Sequence, residues 1–103
     1  MARREISNNR NIYLCTYDVS EDKRRTKLFE LLKDHGEHVQ FSVFLCSLTH
    51  TEVKRLSYTA TEIIHQENDQ LLIIDIGPEV NDWASNLACL GKSWSPNVRS
   101  QII

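Results

Sequence analysis

The chain carries the run Ile12-Tyr13-Leu14-Cys15-Thr16-Tyr17-Asp18, an apolar stretch that ends abruptly in a carboxylate. Apolar side chains occupy both alternating sets of positions, which is typical of a central strand covered on both faces. We therefore predict a strand over residues 11–17. A basic cluster follows within two helical turns, as Lys23-Arg24-Arg25-Thr26-Lys27. An acid at a strand end beside a basic helix start indicates a place where a metal and a phosphate could meet.

The basic cluster opens a predicted helix over residues 21–35. Ser20 is the expected N-cap, and acidic residues follow it in the first turn, where they suit the positive helix end. One buried stripe is predicted by the apolar spacing of Leu28, Leu31, Leu32 and His35. Gly36 is the expected C′ residue that stops the helix.

The basic side chains of this helix are predicted to differ in their surroundings. Arg24 lies on the azimuth of the buried stripe, and a guanidinium is not left unpaired under a sheet. We therefore expect Arg24 to reach past the sheet end toward Asp18. Arg25 flanks the stripe, and the solvent face is shared by Lys23 and Lys27. The cluster has two interpretations, a set of phosphate contacts or an ordinary solvated helix face.

The second half of the chain predicts further strands and a second helix. Residues 38–48 alternate as an extended segment, which is long for one strand and is expected to bend or break near Ser42. Thr49-His50-Thr51-Glu52 fits a capping box. The helix after it carries an apolar face formed by Val53, Leu56, Ala60, Ile63 and Ile64. The run 71–76 is then a strongly apolar strand.

This order of elements predicts a ferredoxin-like βαββαβ fold, an α/β sandwich of the α+β class. We divide the chain into a polar N-terminal arm, a core and a C-terminal extension, at residues 1–10, 11–77 and 78–103. In the extension, residues 87–90 are a candidate edge strand, and a docking tail carries Trp94, Ile102 and Ile103. Both faces are apolar in the second half of 38–48, which indicates that a partner chain covers one of them.

Composition bounds the protein class. The chain has 103 residues, 41% hydrophobic and 25% charged, as expected of one globular domain. A net charge of −2 provides no global attraction for nucleic acid, so any such binding depends on local clustering. There is no apolar run long enough for a membrane span and no signal peptide pattern, so we expect a cytoplasmic protein without membrane contact. Reduced, packed thiols are expected at Cys15, Cys46 and Cys89, and no Cys-x-x-Cys pair indicates zinc.

Three segments together resemble a known family. They are Tyr17-Asp18-Val19-Ser20-Glu21-Asp22-Lys23-Arg24-Arg25, Leu31-Leu32-Lys33-Asp34-His35-Gly36 and Val39-Gln40-Phe41-Ser42-Val43-Phe44. The combination is similar to the second CRISPR-associated protein, the small spacer-acquisition subunit also described as a metal-dependent endonuclease. The resemblance covers roughly residues 11–76. Three positions depart from the pattern typical of the family: His35, His38 and Leu45.

The resemblance implies a ferredoxin-like homodimer in which the strand-end aspartates of two chains face each other and hold Mg²⁺ or Mn²⁺. On this basis Asp18 is the metal-binding and catalytic residue, with Tyr17 beside it. Arg25 and Lys27 match basic helix positions of the family, and the strand positions implicated in function correspond to Ser42 and Phe44.

Asp18 also has a chemical rationale of its own. Magnesium prefers oxygen ligands, so one carboxylate gives a weak site, whereas an isologous dimer supplies a pair. The alternative is that Asp18 is a turn residue that hydrogen-bonds the helix start. His35 and His38 superficially suggest metal ligands, but Gly36 between them breaks the helix. The aromatic residues more often serve as core or interface than as base-stacking platforms: Phe41, Phe44, Trp83 and Trp94.

The resulting expectation is a homodimeric CRISPR adaptation protein that binds nucleic acid and hydrolyses phosphodiester bonds with magnesium. Its expected nucleic acids are double-stranded DNA and, as a second candidate, single-stranded RNA. The alternative is a non-catalytic scaffold that bridges subunits of the CRISPR integrase, the first CRISPR-associated protein, and holds spacer DNA. A toxin-like ribonuclease on the same fold is a third hypothesis.

Overall fold

The computed structural model describes residues 9–79 and 87–94. Within them, strands and helices follow the predicted order: β1 (Asn11–Asp18), α1 (Asp22–Lys33), β2 (Gly36–Gln40), β3 (Val43–Leu48), α2 (His50–Ile63) and β4 (Gln70–Pro78). Neither of these helices is long and apolar enough to cross a bilayer.

The strands form one antiparallel sheet in the order β2-β3-β1-β4, which puts β1 in its interior. Both helices pack on the same face of this sheet. The core between them contains Cys15, Tyr17, Val19, Leu28, Phe29, Leu32, Phe44, Cys46, Leu48, Leu56 and Ala60. This arrangement confirms the predicted ferredoxin-like α+β fold.

The buried stripe of α1 is broader than predicted. Leu28 and Leu32 are fully buried, and so is Phe29, which lies outside the predicted stripe. Leu31 and His35 are only partly buried. Phe29 is buried because its ring packs edge-on against a second core aromatic, Phe44.

Two predicted end signals of α1 are wrong. The N-cap is Glu21, without a side-chain capping bond, whereas Ser20 donates its backbone N–H and its hydroxyl to Asp69. Gly36 is not a C′ residue either, because it is the first residue of β2 and does not have a positive φ. A Cβ at this position would overlap the Leu45 carbonyl oxygen. Glycine is therefore required here for the close approach of β2 to β3.

The predicted break in the long extended segment is confirmed. Phe41 and Ser42 form a turn between Gln40, which ends β2, and Val43, which begins β3. A register irregularity between His38 and Gln40 loosens the pairing just before this turn. The turn lies beside the end of β1, since the Tyr17 N–H donates to the Ser42 carbonyl at 3.1 Å.

The predicted capping box of α2 is also confirmed. Thr49 Oγ1 accepts from the Glu52 N–H at 3.1 Å, and Glu52 Oε1 accepts from the Thr49 N–H at 3.0 Å. The same carboxylate pairs with Arg10, whose backbone carbonyl accepts from the Glu79 N–H at 3.0 Å. The chain therefore enters and leaves the sheet at one end. Most of the predicted N-terminal arm, residues 1–8, lies outside the described residues.

None of the helices in residues 9–79 and 87–94 packs on the other face of the sheet. By strand alternation it carries Leu14 and Thr16 of β1, opposite Leu72 and Ile74 of β4. Leu72 is 45% exposed and Ile74 is 47% exposed. Within the described part of the chain, the predicted cover of β1 is therefore found on the helical side, and on the other face only at Ile12, which is 6% exposed.

The C-terminal extension departs from the prediction. Residues 87–90 form no strand, and Leu90 is 93% exposed. Gly91 has a φ of +88°, a backbone conformation that turns the chain and is incompatible with a continuing strand. Trp94 nevertheless docks as expected, because its indole N–H donates to the Val39 carbonyl at 2.8 Å. The remainder of the tail, including its two isoleucines, is not among the described residues.

The cysteines are free thiols in two environments. Cys15 and Cys46 are fully buried on neighbouring strands, with their sulfurs 4.0 Å apart. Hydrogen bonding between them raises the pKa of the Cys46 thiol, and burial adds to the effect. Cys89 is exposed, so the prediction of a packed thiol is wrong there.

Candidate functional site

A cleft of about 280 Å³ opens where β1 ends. Its lining consists of Tyr17, Asp18, Val19, Arg25, Phe41 and Ser42. These residues come from the end of β1, the first turns of α1 and the turn between β2 and β3. The fold therefore brings together four of the predicted site residues: Tyr17, Asp18, Arg25 and Ser42.

Asp18 is the last residue of β1 and lies opposite Gln70 of β4. Its side chain is exposed. Within residues 9–79 and 87–94, the Asp18 carboxylate has no hydrogen-bond or ion-pair partner. The alternative interpretation, a turn residue that caps the helix start, would require such a bond. The carboxylate is instead open to whatever enters the cleft.

Tyr17 points the other way from its neighbour along the strand, because side chains alternate. The residue is only 5% exposed, and its hydroxyl is buried without a hydrogen-bond partner among the described residues. Burial raises the pKa of the Tyr17 hydroxyl, and the nearby positive charge of Arg25 opposes that shift. Tyr17 therefore lines the cleft as a neutral phenol at ordinary pH.

Arg25 is held at the cleft by its own helix start. Its guanidinium donates to the Val19 carbonyl at 2.8 Å and forms an ion pair with Asp22. The side chain is 30% exposed, so part of the guanidinium still faces solvent. A phosphate in the cleft would thus meet one preoriented positive charge.

Arg24 does not reach Asp18, so that prediction is wrong. Its Nε donates to Asp69 Oδ2 at 2.6 Å, and another nitrogen donates to Glu21 at 3.1 Å. The Asp69 carboxylate also accepts from the N–H groups of Ser20 and His65. The Arg24 hydrogen bond lowers the pKa of Asp69, and the backbone donors lower it further. Arg24 therefore ties the loop after Asp18 to the segment before β4.

The remaining predicted site residues lie outside the cleft lining. Lys23 and Lys27 are exposed on α1. Phe44 is fully buried, where its ring stacks on His38 at 4.8 Å between centroids and meets Phe29 at 5.5 Å. The structure therefore places Phe44 in the core rather than in the lining of the cleft.

Two cleft residues were missed by sequence reasoning, the buried Val19 and the exposed Phe41. Phe41 was grouped with core or interface aromatics, but it is 61% exposed at the rim of the cleft. The available signal was its position directly before Ser42, where the extended segment was expected to break. A residue in the turn itself does not follow the alternation of the flanking strands.

Comparison with known proteins identifies the family. The sequence profile described as "CRISPR associated protein Cas2" matches residues 11–82. That match covers most of the chain and all of the sheet. The chain belongs to the Cas2 family.

Individual Cas2 proteins match over most of their length. The chain is 29% identical to the CRISPR-associated endoribonuclease Cas2 of Geobacter sulfurreducens over 93 residues, which is 90% of this chain and 97% of the relative. It is 31% identical to a protein of the same description from Rhodospirillum rubrum, with 94% of each chain covered. A relative from Thermus thermophilus, 37% identical over 69% of this chain and 79% of its own length, is named a CRISPR-associated endonuclease Cas2.

Solved structures agree with this assignment. The crystal structure of Streptococcus pyogenes Cas2 superposes with a TM-score of 0.68 at 32% identity, covering 78% of this chain and 99% of that one. A hypothetical protein, TT1823 from Thermus thermophilus, gives a TM-score of 0.67 at 31% identity, with 84% and 99% covered. The Cas2 resemblance drawn from three short segments is thereby confirmed.

The chemistry of the cleft bears on its fit to a magnesium ion. Asp18 offers a hard carboxylate ligand that no described side chain occupies, as magnesium requires. Among the residues that the structure describes, no group of three or more His, Cys, Asp and Glu side chains could hold a metal. The described part of one chain thus offers a single candidate carboxylate ligand at this cleft and no complete metal site.

Proposed function

We propose that two copies of this chain form a CRISPR adaptation dimer that hydrolyses phosphodiester bonds where the two Asp18 carboxylates meet. The observation that carries the proposal is an exposed carboxylate, free of partners in the described residues, on a cleft that also contains a guanidinium. The nuclease names of the Cas2 relatives support the same chemistry.

The open sheet face supports the dimer. Along β4, Leu72 is 45% exposed, Ile74 is 47% exposed and Ile76 is 50% exposed. Burying such side chains against a second copy is favourable by about 25 cal/mol per Å² of apolar area. In a two-fold dimer every interface residue meets its own counterpart or that of a neighbour, so one aspartate per chain yields a pair.

The roles of the cleft residues follow from their surroundings. Asp18 from each chain would hold the metal, and Arg25 would bind and orient the phosphate. Magnesium bound there would supply charge neutralisation and an acidified water ligand. Tyr17, whose hydroxyl is buried, would limit water at the inner wall of the cleft. Lys23 and Lys27 would make additional phosphate contacts that position the nucleic acid.

The decisive experiment compares cleavage by the wild type and by Asp18→Ala, with magnesium and with a chelator, on duplex DNA and single-stranded RNA. We expect the variant to lose at least about 100-fold in rate, since even outer-shell partners of metal ligands are worth about 10- to 100-fold. Glu30→Gln, which removes an exposed carboxylate on the solvent side of α1, should cleave normally. Equal rates for the wild type and Asp18→Ala would refute the catalytic assignment.

A scaffold is the second candidate, and one observation favours it. Each chain contributes a single carboxylate to the cleft, which is a weak metal site without its counterpart. In this case the dimer bridges integrase subunits and holds spacer DNA, and Asp18 is not needed for that task. Spacer integration that survives Asp18→Ala in cells, together with loss of cleavage in vitro, would favour the scaffold as the cellular role.

A further inference from the structure

We propose that the Phe41 ring is a stacking platform for an unpaired nucleobase next to the phosphate handled at Asp18. The inference deepens the proposed function and rests on it, because it assigns a base contact to the same cleft. It adds a specificity element, a preference for single-stranded over fully paired nucleic acid at the site of cleavage.

The position of Phe41 is fixed by the backbone around it. Phe41 and Ser42 connect β2 to β3, and the Ser42 carbonyl accepts from the Tyr17 N–H at 3.1 Å. The turn is thus held against the residue that precedes Asp18. The Phe41 ring and the Asp18 carboxylate consequently line one cleft.

The exposure of Phe41 distinguishes it from the other phenylalanines. Phe29 and Phe44 are fully buried, whereas Phe41 is 61% exposed. An aromatic ring kept in water at a cleft rim offers a flat apolar surface whose burial by a ligand is favourable. Phe41 lies in the turn between β2 and β3, whereas Leu72 and Ile74 lie on β4 at the opposite edge of the sheet from β2.

The other groups that line the cleft indicate which kind of ligand would stack on the Phe41 ring. Arg25 is a partly exposed cation and Asp18 is a potential metal ligand, which together suit the phosphate of a nucleotide. The cleft volume of about 280 Å³ suits one nucleotide rather than a duplex. A base can present its face to a ring only when it is unstacked, and such stacking tolerates any base type.

Binding without cleavage tests this inference directly. The probe is a short single-stranded oligonucleotide with one 2-aminopurine, whose fluorescence is quenched on stacking, titrated in the presence of a chelator. We expect Phe41→Ala to weaken binding by about 5- to 150-fold, the range of one aromatic–base stack. Phe41→Trp should preserve both affinity and quenching. Tyr58→Ala is the matched control, because Tyr58 is 70% exposed on α2 away from the cleft, and it should bind as the wild type does.

Each other outcome overturns the inference. Equal affinities of the wild type and Phe41→Ala, or an equal loss on duplex and single strand, would mean that no base stacks on the ring. A change in sedimentation of Phe41→Ala would identify the ring as a contact between copies instead. These results are independent of the cleavage assay on Asp18→Ala, so the inference and the proposed function fail separately.

Discussion

Two aspartates at the same end of the sheet use their carboxylates in opposite ways. Asp69 immediately precedes Gln70, the cross-strand partner of Asp18, so the two lie in adjacent segments. The Asp69 side chain is fully buried and accepts hydrogen bonds from Arg24, Ser20 and His65. Asp18 is exposed and has no such partner among the described residues.

The difference shows that a carboxylate near the cleft is not for that reason free to bind a ligand. Arg24 and Asp69 form an ion pair with 2.6 Å between Nε and Oδ2, and this pair holds the loop after Asp18 in place. A carboxylate whose lone pairs are already occupied has little left to offer a metal or a substrate. The two carboxylates therefore have different roles at this end of the sheet. Asp69 fixes the backbone, and the Asp18 carboxylate is left free to bind a ligand in the cleft.

The largest expected effect that separates the two residues is on thermal stability. Asp69→Ala removes the acceptor of the Arg24 guanidinium and of the Ser20 and His65 N–H groups, so the hydrogen bonds that join the loop after Asp18 to the segment before β4 are lost together. We expect the Tm measured by circular dichroism to fall by several degrees. Asp18→Ala, the matched control, should melt with the wild type. Equal Tm values for the two variants would remove the structural distinction between these carboxylates.

A smaller effect than the loss of Tm is expected in the pH dependence of stability, and it too is specific to Asp69. The pKa of folded Asp69 lies below its ordinary value of 3.8. The stability that this group contributes is therefore fully present above that value and is lost as pH falls through the folded pKa. In urea unfolding between roughly pH 4 and pH 2, the wild type should lose more stability than Asp69→Asn.

Glu30→Gln provides the control for the acid series, since it removes an exposed carboxylate of α1 that forms no ion pair among the described residues. It should follow the wild-type curve. Glu52, whose pKa is also lowered, chiefly by the Thr49 N–H hydrogen bond, is present in all three proteins and so cancels in the comparison. Parallel curves for Asp69→Asn and the wild type would contradict the prediction.

The smallest expected effect extends the comparison to the basic side chains. Lys23 and Lys27 are exposed, whereas Arg24 is paired with Asp69. Replacing each lysine with glutamine should reduce the salt dependence of nucleic-acid affinity by about one unit of slope, with no change in Tm. Arg24→Gln should act mainly on Tm. If the lysine variants keep the wild-type salt slope, the cluster is a solvated helix face.

Local patterns predicted the elements well because their causes are local. The capping box at Thr49 satisfies backbone donors within one turn of the helix, and the turn at Ser42 interrupts an alternation that can be read directly. The apolar run ending at Asp18 predicted an interior strand for the same reason.

Contacts between distant segments could not be predicted in this way. The helical azimuth showed correctly that Arg24 needs a partner, but Asp18 was chosen because it ends the strand that precedes this helix. Asp69 reaches Arg24 only because β4 pairs with β1, and that register is a property of the whole sheet. Ser20 was misassigned as a cap for the same reason, since Asp69 takes its hydroxyl.

Two phenylalanines show the same limit at the site. Phe44 matched a family position implicated in function and is a core residue, whereas Phe41 was assigned to core or interface and lies exposed in the turn. Which of two aromatics three positions apart faces solvent depends on where the strands end. The register irregularity after His38 shifts the end of β2, and no local sequence pattern predicts this irregularity.

The pairing of Arg10 with Glu79 has a mechanical consequence. β1 begins and its antiparallel neighbour β4 ends at this end of the sheet, where Asn11 lies opposite Pro78. Asp18 lies at the other end of the same two strands. Tension applied between residues 10 and 79 would peel the two strands apart one hydrogen bond at a time rather than shear all of them together. The bonds beside Asp18 would be the last to carry load.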